Sequence, residues 1–425
     1  MWMVRPNIGG MPKQRWVVLV AGLVAVTAGC AAQYGAPFLI PALRADGLTL
    51  AQAGMLAGCP IAGLLVTLVA WGAAADRYGE RLVLVLGLGL GGVTLLAGTR
   101  LHGMTALGAT LFVAGAATAA VHAASGRLVL GWFSAGERGV AMAIRQCAQP
   151  LGVAVSALAL PTLAHRGLPV ALAALGGGCL AATALVLALV RDPARPVSDG
   201  ARRPGSPYRT PTLWRIHAAS SMLVVPQFVV ATFALVYLVD VQGWAAVPAG
   251  RLLAATQLGG AATRIAAGYW SDRVGSRLRP MRLLAVATGA VLAGLAAATL
   301  ADWRLPALVA LLLATMLAVS TNGLAFTAVA ERAGSAWAGR ALGVQNTAQN
   351  ALAAATPPVF GLLIGAASYG SGFAVAVLFP TLACLLVPVG TEGLDRTDGD
   401  KTAGGRTDGT EAGLSDRRAG LPEQR

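Results

Sequence analysis

Twelve apolar runs, each long enough to cross a bilayer, occupy most of this chain. A hydrocarbon core of ~30 Å takes about 20 residues of helix. Runs of that order fall at 15–41, 50–74, 81–100, 104–130, 139–164, 168–190, 214–239, 247–270, 280–301, 305–329, 339–366 and 370–390. They are continuous rather than alternating, so they predict helices and not barrel strands. Composition points the same way. Hydrophobic residues make up 56% of the 425 positions and charged ones 12%, about half the charged share of a soluble chain. The expected fold is an all-α integral membrane protein with twelve transmembrane helices.

The net charge of +14 does not mark a nucleic-acid binder, because the basic residues are scattered between apolar runs and form no stripe. With the amino terminus inside, 24 of them fall on the cytoplasmic side and five outside: Arg44, Arg100, Arg166, Arg251 and Arg304. Three lie within spans: Arg127, Arg145 and Arg264. This asymmetry predicts a multi-pass cell-membrane protein with both termini cytoplasmic. Residues 1–14 form a cytoplasmic segment, 15–190 a six-helix bundle, 191–213 a linker rich in Arg, Pro and Ser, and 214–390 a second bundle. The tail, 391–425, is too polar for a core and is expected to be disordered. Cys30, Cys59, Cys147, Cys179 and Cys384 all sit in apolar runs and read as packing residues.

Enzyme and pump chemistry finds no foothold. A phosphate loop needs Gly-Lys, and the two lysines are Lys13 and Lys401, near the ends of the chain. No H-E-x-x-H exists, and the four histidines lie far apart. We therefore expect no catalytic residues, no metal and no cofactor.

Two segments recur. Gly72, Asp76, Arg77, Gly79 and Arg81 follow the second span; Gly268, Asp272, Arg273, Gly275 and Arg277 follow the eighth at an offset of 196. In the fifth and eleventh spans Ala141, Ala148 and Gln149 match Ala341, Ala348 and Gln349 at an offset of 200. Two matches at nearly one offset predict a duplicated six-helix unit, hence two pseudo-symmetric bundles.

The G-x-x-x-D-R-x-G-x-R signature resembles the loop between the second and third helices of the major facilitator superfamily (MFS), with its weaker echo between helices eight and nine. The resemblance covers about residues 14–390. Glu80 departs from it, standing where the family has a basic residue. The resemblance implies the family's fold and a gate at the cytoplasmic edge. Asp76 would face the start of helix eleven near Gly339, and Asp272 the start of helix five near Gly139. Arg77 and Arg81 would reach Glu331, while Arg273 and Arg277 would reach Glu137. Gly72 and Gly268 would let helices approach closely. The plain alternative for these arginines is the positive-inside rule, which leaves the two Asp unexplained.

None of the 18 acidic residues falls inside a span, so a buried carboxylate relay is not expected. Arg264 lies eight residues before Asp272, ~12 Å from the membrane edge, and shares a helical face with Gln257. Arg145 shares one with Gln149. Neither has an acid in the membrane, and a bound anion would supply the counter-charge. Arg264 also resembles an Arg in monocarboxylate and nitrate or cyanate carriers of the superfamily. The alternative is that Arg264 braces its helix through backbone carbonyls. His122, its repeat mate Asn322, Gln227, Gln345, Asn346 and Gln349 complete the candidate substrate residues.

The expected function is alternating-access transport of a small solute by a chain working as a monomer. A small anion such as a carboxylate is favoured, with protons as a candidate coupling ion. Proton-antiport efflux of drugs or metabolites stays open, as does a channel or non-transporting sensor.

Overall fold

The computed structural model describes residues 12–133, 138–192, 206–334 and 337–391. Glu137, much of the linker and the tail expected to be disordered lie outside the described residues.

All twelve expected spans are helical rods, and no strand occurs among the described residues. The first half comprises α1 (Pro12–Tyr34), α2 (Leu50–Tyr78), α3 (Glu80–Gly98), α4 (Met104–Thr118 and Ala120–Trp132), α5 (Arg138–Gln146 and Ala148–Ala164) and α6 (Leu168–Leu189). The second comprises α7 (Pro211–Asp240), α8 (Ala246–Val274), α9 (Leu278–Leu300), α10 (Arg304–Leu317 and Thr321–Ala333), α11 (Ala338–Ala366) and α12 (Tyr369–Ala376 and Leu378–Leu386). Ten of these rods are apolar and long enough to cross a membrane on those grounds alone; α8 and α11 are the two that are not. They carry Gln257 and Arg264, and Gln345, Asn346, Gln349 and Asn350. Both face the other half, where a polar side chain costs less than against lipid.

Local chemistry sets the breaks. Pro150 has no N–H for the Gln146 carbonyl four residues back, and Pro380 none for Ala376; α5 and α12 break beside these carbonyls. The breaks in α4 and α10 have no proline. There Thr118 Oγ1 donates to the Ala114 carbonyl at 2.8 Å, and Ser320 Oγ to the Leu317 carbonyl at 2.6 Å. Hydroxyls thus compete for carbonyls of the helix ladder. These two breaks fall at equivalent places in the halves. The first span also ends earlier than expected: Pro37 and Pro41 turn the chain into a 3-10 turn, Ala36–Leu39, and a short helix, Ile40–Ala45.

The duplicated signature sits differently from expectation. Helices α2 and α8 each run four residues past the anticipated ends at 74 and 270, so Asp76, Arg77, Asp272 and Arg273 lie on last helical turns. A positive side chain there favours the negative end of the helix dipole, which supports the extension. Gly79, with φ 96°, and Gly275, with φ 63°, then end the helices in a region that a side chain strains.

The halves meet along α2 with α11 and α5 with α8. At one end the contact is backbone on backbone. A Cβ on Gly58 would lie 2.8 Å from the Ala354 carbonyl oxygen, and one on Gly361 3.0 Å from that of Leu50. Arg44 Nε and Asp240 Oδ2 pair across the halves at 3.2 Å at this same end. At the other end the halves diverge. Among the described residues, a Cβ on Gly72, Gly268, Gly339 or Gly343 would meet nothing within 4 Å. Among the described residues, the glycines of these helices held tightly against the other half are Gly54, Gly58 and Gly250, near the opposite ends.

Gly58→Val should force α2 and α11 apart and cost about 1–3 kcal/mol. The check is a lower melting temperature in detergent, with Gly126→Ala, at an open position, as the control.

Candidate functional site

Between the halves lies a cavity of about 80 Å³, lined by α1, α2 and α5 of the first half and α7, α8 and α10 of the second. Phe38, Ile61, Val153 and Phe228 give it an apolar wall. Gln33, Gln149, Gln227 and Gln257 give it amides, and among the described residues Arg264 is the one ionised side chain in the lining.

Arg264 is held from α10. Its Nε donates to the Val319 carbonyl at 3.0 Å, and Val319 lies in the break of that helix. The bracing contact anticipated as the alternative role is thus present. It uses one nitrogen of three. The two terminal nitrogens have no acceptor among the described residues, and no carboxylate pairs with Arg264 there.

Two amide-centred pairs flank the cavity at equivalent positions of the repeat. In the first half His122 Nε2 lies 2.7 Å from Gln33 Oε1, and Gln33 Nε2 donates to Thr118 Oγ1 at 3.1 Å. In the second, Asn322 Nδ2 donates to Gln227 Oε1 at 2.9 Å. His122 and Asn322 therefore stand behind the lining and set the glutamines in front of them. Arg145 also stands behind it: its Nε donates to Ser125 Oγ at 2.9 Å and its Nη1 to Gln146 Oε1 at 3.1 Å.

The polar run of α11 is not brought to the lining. Gln345 is fully buried, its Oε1 2.5 Å from His217 Nδ1 and its amide nitrogen on Ser220 Oγ. His217 in turn meets the Tyr208 hydroxyl at 3.1 Å. Gln345 thus ties α11 to α7 and to the end of the linker. Asn346 accepts the Asn350 side chain on its carbonyl at 2.9 Å. Gln349 is buried and its Nε2 has no partner among the described residues. Of the sequence candidates, then, Arg264, Gln149, Gln227 and Gln257 line the cavity. Sequence reasoning passed over Gln33 and His217. The signal for Gln33 was available: it lies at an offset of 194 from Gln227, alone in an apolar run.

At the diverging end, several contacts among the described residues lie within one half, and Glu137, the expected partner of Arg273 and Arg277, lies outside them. Arg277 donates to Glu331 Oε1 at 3.2 Å, to Ser271 Oγ at 3.0 Å and to Asp272. Burial lowers the pKa of the Arg277 guanidinium, but its bonds to Asp272 and Glu331 more than offset this and hold it above its ordinary value. Glu331 is therefore met from α8–α9 of its own half. Arg81 instead uses its backbone N–H on Asp192 at 2.7 Å and its Nη2 on the Leu187 carbonyl at 2.6 Å. Arg77 lies over the Tyr78 ring and Arg273 over that of Tyr269.

A family model described as Major Facilitator Superfamily matches residues 21–358. The chain belongs to the major facilitator superfamily. It is 44% identical over 379 residues to the MFS-type transporter Rv2994 of Mycobacterium tuberculosis strain H37Rv, covering 88% of this chain and 85% of that one. MT3072 of strain CDC 1551 gives the same figures. Among solved structures it is similar to a bacterial homolog of the human lysosomal transporter Spinster, inward-facing and occupied, with TM-score 0.75 at 14% identity, covering 89% of this chain and 97% of that one. The D-xylose-proton symporter gives 0.67 at 14%, covering 86% and 97%, and the nucleoside transporter NupG 0.69 at 10%, covering 88% and 98%. At such identities these structures establish the fold and no substrate. This MFS member is a multi-pass membrane transporter rather than an enzyme.

One thiol reports on the opening between the halves. Cys147, at the α5 break, is exposed, whereas Cys30 and Cys179 are buried. A maleimide should label Cys147 first, and Cys147→Ser should remove the fast phase seen by mass spectrometry, while Cys30→Ser and Cys179→Ser leave it.

Proposed function

We propose that this transporter carries a small anion, such as a carboxylate, by alternating access. The observation that carries the reading is Arg264: one ionised residue in a mixed apolar and amide lining, with two nitrogens lacking a protein acceptor among the described residues. An uncompensated cation in that setting is expensive, and a carboxylate matches the guanidinium fork. The apolar wall would suit the rest of a small organic anion. The diverging end carries the basic loops of both halves, so by charge it is cytoplasmic and the conformation is inward-open. Efflux by proton antiport has less support, since no carboxylate among the described residues lines the cavity. The four glutamines favour a second reading, a neutral hydroxylated solute, because amides pair with hydroxyls as donors and acceptors.

Reconstitution in liposomes, with carboxylates, inorganic anions and a sugar panel offered with and without a pH gradient, separates these readings. Arg264→Leu should lower anion uptake about 10–100-fold, the worth of a charged hydrogen bond of about 1.5–3 kcal/mol. Equal transport by wild type and Arg264→Leu refutes the anion site.

The repeated Asp-Arg signature is assigned to the gate that closes the cytoplasmic end. Asp76 and Asp272 lie at the tips of α2 and α8, the helices that reach across to the other half. Asp76→Asn and Asp272→Asn should slow turnover several-fold while leaving substrate affinity in equilibrium binding unchanged. Unaltered turnover removes the gate assignment.

A further inference from the structure

We infer that His122 is a proton-binding site coupled to the anion, so that the cavity takes up a proton together with its anionic substrate. The inference rests on the anion reading above and adds the coupling ion to it.

The geometry leaves His122 half-satisfied. Its Nε2 meets Gln33 Oε1 at 2.7 Å, and the Gln33 amide nitrogen is committed to Thr118, which fixes the carbonyl toward the ring. Nε2 therefore carries a hydrogen as donor. Nδ1 has no protein partner among the described residues and is the atom open to a second proton. Gln33 itself lines the cavity, so the imidazole is one side chain removed from the substrate space.

The charges around it are one-sided. One turn further along α4, Ser125 holds Arg145 of α5. From α1 come Cys30 and Tyr34, neutral thiol and phenol. Helix α3 carries no ionisable side chain between 82 and 98, and α2 between 57 and 75 carries only Cys59. Across the cavity stands Arg264. No carboxylate among the described residues faces His122. A proton on Nδ1 would thus add positive charge beside Arg145 in surroundings of low dielectric, where like charges repel strongly. An anion seated on Arg264 changes that balance and makes the same proton favourable. Linkage is reciprocal, so protonation of His122 strengthens anion binding by the factor with which the anion favours protonation.

The repeat supplies the discriminating variant. Asn322 offers an N–H to Gln227 where His122 offers one to Gln33, so His122→Asn can keep the amide contact while losing the titrating group. If His122 only orients Gln33, this variant behaves as wild type.

The test is isothermal titration of the purified full chain with lactate and with nitrate, in buffers of different ionisation heat, between about pH 6 and 8. Wild type should take up protons on binding, approaching one per anion, and its Kd should weaken by up to about tenfold per pH unit through the window in which His122 titrates. His122→Asn should bind without proton uptake and with a nearly flat Kd. Gln33→Glu, which places a permanent carboxylate beside the ring, should also flatten the pH dependence, because the counter-charge no longer comes from the substrate. Gel filtration and circular dichroism identify any variant that fails to fold, in which case the other variant decides. Anion binding by wild type without proton uptake, or uptake retained in His122→Asn, overturns the proposal and leaves the anion reading standing. Failure of wild type to bind either probe removes both together.

Discussion

The two halves touch backbone to backbone at one end, and the rest of the architecture depends on that contact. Gly54 and Gly58 of α2 face the carbonyls of Pro357 and Ala354, and Gly250 of α8 faces Ala157 of α5. Small residues at such crossings bring helix axes close without interlocking side chains. In the proposed alternating-access cycle this contact is the pivot: tight enough to close one end, and smooth enough to let the halves tilt. Three buried polar pairs respect the same boundary. Gln33 with His122, Gln227 with Asn322, and His217 with Gln345 each stay within one half. A tilt of one half on the other would leave all three intact, while changing what the cavity walls present to either side.

Charge is distributed to match. Acidic residues sit at helix tips and loops, where Arg277 meets Asp272 and Glu331, and where Arg44 meets Asp240 across the halves. The middle of the protein holds arginines instead. Burying a cation there is tolerable when its nitrogens find acceptors, and Arg264 finds one in the Val319 carbonyl that the α10 break presents. Among the described residues it finds no second, and that shortfall is the basis for proposing an anion in the cavity.

Some of this was legible in the residues. The twelve rods were, because bilayer thickness sets a length that apolar runs must meet. The breaks at Pro150 and Pro380 follow from a missing N–H. Those in α4 and α10 were not foreseen, because a Thr or Ser hydroxyl breaks a helix ladder only in some surroundings. Helical spacing put Gln257 beside Arg264 and Gln149 beside Arg145, and Arg264, Gln149, Gln227 and Gln257 all line the cavity. Gln345 does not: its spacing on α11 is equally that of a residue tying two helices together, and it meets His217 on α7.

The sequence by itself determined the membrane-spanning class, the duplication and the superfamily, since each is written in run length, offset or a short repeated signature. It also determined that the spans hold arginine without acid. Only the tertiary structure decided which polar residues face the cavity, which stand behind it, and which partner each arginine takes. The reason is that these depend on how α2 and α5 lie against α11 and α8. A helix face can be read from spacing of 3.6 residues, but what that face meets is fixed by the tilt of one half against the other.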